Sequence, residues 1–139
     1  MKKLLGHLVV ALTLAIILFL TTLFFDLFKS LYLTALLLNI DFLINDNDSN
    51  IILEFLIHVG ITISLYGSLY FIYKKWGDYY YIAILFTMIS FLALYPLLIY
   101  IAVNPIFQFQ YLGYICWTIA HTIFLVCTHR AIKYMESKL

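Results

Sequence analysis

Apolar positions along this chain fall into four long runs rather than into an alternating pattern, and polar clusters punctuate the joins. The first run, Leu4 to Phe25, follows Met1-Lys2-Lys3. The second, Ile51 to Tyr73, is framed by Asp46-Asn47-Asp48-Ser49-Asn50 before it and Lys74-Lys75-Trp76-Gly77-Asp78 after it. The third extends from about Tyr80 to Val103 and stops at Asn104-Pro105, and the fourth from about Tyr111 to Cys127, stopping at Thr128-His129-Arg130. A helix needs roughly 20 apolar residues to cross a bilayer, so each run is close to or above the length of one span. The first run exceeds the roughly 7 to 15 residues of a signal-peptide core and no small-x-small site follows it, so it is read as an uncleaved span. Short connections between the second, third and fourth runs make those helices antiparallel neighbours.

The stretch Asp26 to Ile44 is apolar enough to tempt a fifth span, but Lys29, Asn39 and Asp41 interrupt it. Charge placement decides between four spans and five. With four, every basic residue except Lys29 (Lys2, Lys3, Lys74, Lys75, Arg130, Lys133 and Lys138) lies on one side, as the positive-inside rule requires; a fifth would move Lys74 and Lys75 across. The expectation is an all-α membrane protein: one integral domain over 1–139, a four-transmembrane-helix bundle with both termini cytoplasmic. Asp26 to Ile44 forms an outer interfacial helix or partly re-entrant segment between spans one and two. Asp46 and Asp48 then face the exterior. Trp76 with Tyr79, Tyr80 and Tyr81 marks the inner aromatic belt, and Tyr111 with Tyr114 the outer one.

Composition agrees. Hydrophobic types make up 65% of the 139 residues and charged types 11%, far from the soluble average of about half and about a quarter. That excludes a water-soluble catalytic, nucleotide-binding or DNA-reading domain, and with it a nucleic-acid partner. The formal net charge of +1 says nothing of partners. Cys116 and Cys127, eleven residues apart on one helix, sit roughly 16 Å apart and cannot pair within the chain; both read as small packing residues.

Candidate chemistry is confined to a few intramembrane polar groups. Glu54 is the one acidic residue inside a span, and His58 follows it by four positions, which puts both on one helical face. His121, in span four, lies at a depth within one turn of His58, so the two imidazoles are able to face each other across the bundle. Glu54, His58 and His121 thus form a candidate intramembrane polar site: a proton or cation site entered from outside, a divalent-metal or b-type haem site, or simply an interfacial carboxylate and two interhelical hydrogen bonds. Neither a metal nor a cofactor is expected, since a single His pair and a lone carboxylate fall short of a ligand signature. His7 and His129 sit near the cytoplasmic ends, where an interfacial role suffices.

Gly60, Ser64 and Gly67 cluster on another face of span two, where small residues would let backbones approach. They predict a helix-packing face, within the bundle or in a homo-oligomer, with span two central and Leu69 outward. Pro96 predicts a kink in span three by freeing the carbonyl of Phe91 or Leu92. The basic tail, with Arg130, Lys133 and Lys138, suits anionic lipid or an acidic partner surface.

The layout resembles that of small bacterial four-span membrane proteins often encoded beside LytTR-type transcription regulators. The likeness lies in the basic N-terminus (Met1-Lys2-Lys3-Leu4-Leu5), the long outer segment before span two, the Lys74-Lys75-Trp76 turn, Pro96 in span three and the basic tail from Lys133 to Leu139. It implies a regulatory membrane component, one that restrains a cytosolic regulator. The functional expectation is therefore a non-enzymatic regulatory or accessory protein of the cell membrane, working through helix contacts with a membrane or cytosolic partner. A small ion- or proton-coupled transporter using Glu54, His58 and His121 is the alternative, and immunity to a membrane-active peptide a second.

Overall fold

The computed structural model describes residues 2–44 and 50–138; the acidic cluster at Asp46 and Asp48 lies outside them. Five α-helices follow one another: α1 (Lys2–Phe28), α2 (Leu33–Leu38), α3 (Ile51–Lys75), α4 (Tyr80–Ile101) and α5 (Tyr111–Lys138), with a 3₁₀ turn at Gly77–Tyr79 leading into α4. Helices α1, α3, α4 and α5 are each long and apolar enough to cross a membrane. Among the described residues there is no strand, and the molecule is an all-α four-helix bundle.

Its exterior is as apolar as its interior. Leu85, Phe86, Ile82 and Leu97 on α4, and Ile115, Ile119, Ile123 and Val126 on α5, all point outward, an arrangement that lipid solvates and water does not. The bundle is organised around α5, of which 44% of the most apolar stretch is buried against 22% for α3. This corrects the expectation that span two is central. Close backbone approach is supplied by Ala11 and Ala15 on α1 and Ala120 on α5, all essentially inaccessible, and Ala11 and Ala120 belong to one core with Leu14, Leu18, Tyr66 and Phe124. In lipid, where apolar packing gains little over lipid contact, such small residues are what let two helices meet closely.

Gly60, Ser64 and Gly67 do not have this role inside the bundle. All three are exposed, and a Cβ at either glycine meets nothing within 4 Å. Leu69, expected to face outward, is only 2% exposed and lies in the core. The physical reason is that α3 is apolar nearly all round, so that its sequence carries little contrast between a lipid-facing and a helix-facing side.

Polar groups knot the helix ends that carry Lys74, Lys75, Arg130 and Lys133. His7 Nδ1 and Tyr66 Oη share a hydrogen bond of 2.9 Å, the His7 ring lies 4.4 Å from that of Tyr70, and Tyr70 Oη donates to Glu136 at 3.0 Å. Tyr80, expected in the aromatic belt, is instead 1% exposed, and its hydroxyl lies 3.1 Å from His129 Nδ1. Trp76, Tyr79, Tyr81 and Tyr111 do remain outward, while Tyr114 is half-buried. Cys116 and Cys127 are both unpaired thiols.

Candidate functional site

At the opposite end, the connection between α1 and α3 folds back as a roof. Its helical part is only six residues long, and Leu31, Leu33, Leu36, Leu38 and Ile40 are buried. The segment therefore dips into the protein instead of lying flat as one interfacial helix, although Tyr32, Phe42 and Leu43 stay exposed at its edge. Two aspartates hold it. The Asp26 carboxylate accepts from the backbone N–H groups of Leu33 (2.9 Å) and Thr34 (2.8 Å), satisfying the first amides of α2, while Tyr32, at φ 56°, makes the left-handed turn that starts the helix. Asp41 accepts from Asn39 Nδ2 on one oxygen, and from the N–H groups of Val103 (3.0 Å) and Asn104 (2.8 Å) on the other. The roof is thus fastened to α1 at one end and to the α4–α5 connection at the other.

Beneath it lies a cavity of about 260 Å³. Glu54, His58 and Thr62 line it from α3, Phe91 and Leu94 from α4, and Trp117 and His121 from α5, with Leu37 to Ile40 and Phe42 above. The three polar residues singled out from sequence therefore border a single space. Its walls are otherwise almost wholly apolar. Glu54 and Asn39 also line a smaller polar pocket of about 180 Å³, which Asp41 and Asn104 share, so the carboxylate stands between the two spaces.

Each imidazole is set differently. His121 Nδ1 lies 2.9 Å from the carbonyl oxygen of Trp117; because a carbonyl only accepts, the proton is on Nδ1, and Nε2 is the acceptor of the neutral ring. Trp117 and Phe91 hold that ring between them, with centroids 4.2 Å and 4.4 Å away. His58 is buried, with the backbone of Ala15 beside it, and its Nε2 has no hydrogen-bond partner among the described residues. Among the described residues no three His, Cys, Asp or Glu side chains are grouped so as to hold a metal ion, so Glu54, His58 and His121 border a common cavity without converging on a point. What the arrangement offers chemically is a largely apolar chamber with two imidazoles in its wall and a carboxylate at its junction with a polar pocket.

Trp117 is the residue that sequence reasoning missed. Its indole Nε1 donates to the carbonyl of Phe91 at 2.9 Å, next to the Leu92 carbonyl that Pro96 deprives of its usual amide donor. The signal was present in the pairing of an intramembrane Trp with a proline on the neighbouring helix. Asp41 was noted only as an interruption of a hydrophobic stretch and Asp26 only as its first residue, and their fastening role depends on contacts with backbone beyond any local pattern. No family model, no curated protein and no solved structure matches this chain.

Proposed function

We propose that this chain is a multi-pass protein of the cell membrane, with both termini cytoplasmic, that serves as a non-enzymatic regulatory or accessory component. The observation that carries the reading is the roofed cavity. A segment hydrogen-bonded to α1 through Asp26 and to the α4–α5 connection through Asp41 covers a chamber bordered by α3, α4 and α5 and by Leu18 of α1. Filling or emptying that chamber bears on all four spans together, which is what a helix bundle needs in order to pass a change on to a partner by contact. The clustering of Lys74, Lys75, Arg130 and Lys133 at the far end supports placing that end in the cytoplasm, where the basic tail meets a cytosolic partner such as a transcription regulator. Cross-linking in the membranes of the source cell, followed by identification of the captured chain, tests the proposal. A stoichiometric membrane or cytosolic partner is the expected result; a chain that carries no partner and conducts ions by itself would overturn it.

A second reading, ion- or proton-coupled transport, draws on the position of Glu54 between the polar pocket and the chamber of His58 and His121. Intramembrane ionisable groups in such a row mark proton relays in pumps. Flux in liposomes that is abolished by Glu54→Gln would establish it in place of the first.

A further inference from the structure

We infer that the groove between α4 and α5, at the basic end of the bundle, is a binding site for one anionic phospholipid. The groove has a volume of about 630 Å³ and lies on the outside of the bundle, on a face that lipid covers in any case. Its walls are Leu85 and Met88 on α4 and Thr122 and Val126 on α5, and its basic end is formed by Tyr81, His129 and Arg130. Thr122 does not interrupt the apolar run, because its hydroxyl donates to the Thr118 carbonyl at 2.8 Å. From Thr122 to Arg130 the groove follows α5 for about 12 Å at 1.5 Å per residue, room for a good part of one acyl chain.

Charge distinguishes this groove from the rest of the apolar surface. Among the described residues, Arg130 is exposed and forms no hydrogen bond or ion pair, and no carboxylate lines the groove. The one acidic residue in the last turns of α5, Glu136, is engaged with Tyr70 on the α3 side. Arg130 and Lys133 both stand close enough for their charges to act on His129, and that ring is held in place by Tyr80, stacked at 5.6 Å and hydrogen-bonded at 3.1 Å. A fixed aromatic platform, an exposed guanidinium and a second cation above an apolar channel together match a phosphate headgroup joined to an acyl chain. Guanidinium groups bind phosphate through paired N–H donors, and basic pockets between membrane helices hold anionic headgroups on this principle.

Native mass spectrometry of the full chain, offered phosphatidylglycerol and phosphatidylcholine of identical chains in equal amounts, tests the inference. Retention of phosphatidylglycerol over phosphatidylcholine is expected, and Arg130→Gln should reduce that preference about fivefold, the contribution of one basic residue at a membrane surface. Arg130→Lys should keep most of it, which separates charge from folding, and Lys138→Gln, the same change of charge outside the groove, should leave it intact. Val126→Trp, which fills an outward-facing part of the groove, should lower retention of both lipids. Equal retention of the two lipids by the unaltered chain, an undiminished preference in Arg130→Gln, or a loss as large in Lys138→Gln would overturn the site, as would a Val126→Trp variant that binds normally.

Discussion

The indole of Trp117 on α5 donates its hydrogen bond across the helix interface to the backbone carbonyl of Phe91 on α4, at 2.9 Å. Five residues further along α4 is Pro96, which has no N–H to give to the Leu92 carbonyl. The indole does not stand in for that missing amide, because the helical donor of the Phe91 carbonyl is the amide of Tyr95; it adds a second donor one residue away, in the turn that the proline weakens. The same Trp117 supplies the carbonyl that fixes the tautomer of His121. Packing of two helices and the state of the cavity wall are thereby joined in one residue.

Trp117→Phe keeps most of the ring's bulk and removes the donor. It should destabilise the bundle by about 1–2 kcal/mol, the scale of interhelical hydrogen bonds in membranes. Introduced into a Pro96→Ala background, where the proline no longer weakens this turn of α4, the same change should cost less. Unfolding in detergent of the two single variants and the double variant measures the coupling; additive costs would show that indole and proline act independently.

Asp41 should matter more to the roof than to the bundle. Asp41→Ala removes a carboxylate that accepts from the N–H groups of Val103 and Asn104, and hydrogen bonds to a charged acceptor contribute about 1.5–3 kcal/mol. Hydrogen exchange at those two amides should therefore accelerate by about tenfold or more, each factor of ten corresponding to about 1.4 kcal/mol. Amides in the middle of α1 and α5 should keep their protection. Uniform acceleration along the whole chain would mean that the roof and the spans unfold as one unit.

The four spans were legible because a bilayer imposes a length and a hydropathy that any sequence must meet. The neighbourhood of Glu54, His58 and His121 was legible for a related reason: helical rise converts sequence position into depth, and short loops fix which helices are adjacent. Orientation about each helix axis was not. In water an apolar stripe marks the buried face, but α3 and α4 are apolar on their lipid side as well, so Gly60, Ser64 and Gly67 were assigned to packing although they are open, and Leu69 to lipid although it is buried. The usable signal was the spacing of Ala11 and Ala15 in α1, small residues four apart. The burial of the roof was hidden for a different reason, since it depends on Asp26 and Asp41 reaching backbone amides that no local pattern announces.

Topology is open to a direct measurement. The basic end formed by Lys74, Lys75, Arg130 and Lys133 is expected in the cytoplasm and the α4–α5 connection outside. An alkaline-phosphatase fusion at Asn104 should be active and one at Lys75 inactive. The reverse pattern would invert the bundle and place the polar pocket at Asp41 on the cytoplasmic side.

Three of the five glycines make a contrast: the fold requires Gly113 and leaves the space around Gly60 and Gly67 open. A Cβ at Gly113 collides with the hydroxyl of Tyr95, whose position is fixed by burial and by its hydrogen bond to the Gln110 carbonyl at 3.4 Å. Tyr95 also packs against Trp117, with ring centroids 5.6 Å apart, so it cannot withdraw without disturbing the cavity wall. Gly113→Ala should therefore cost about 1–3 kcal/mol, the usual penalty for overfilling a packed site. Tyr95→Phe, which removes the colliding oxygen, should recover a large part of that loss. Gly60→Ala and Gly67→Ala add a methyl group to open surface and should leave the stability of the monomer unchanged or slightly raised, since alanine is the better helix former. Thermal unfolding in detergent ranks the variants, and cross-linking of the same samples reports whether the exposed Gly60 face is used by a second copy. A Gly113→Ala variant as stable as the parent would show that Tyr95 is able to move away. A Gly60→Leu variant that lost an oligomer while its monomer stayed intact would assign the open face of α3 to contact between chains.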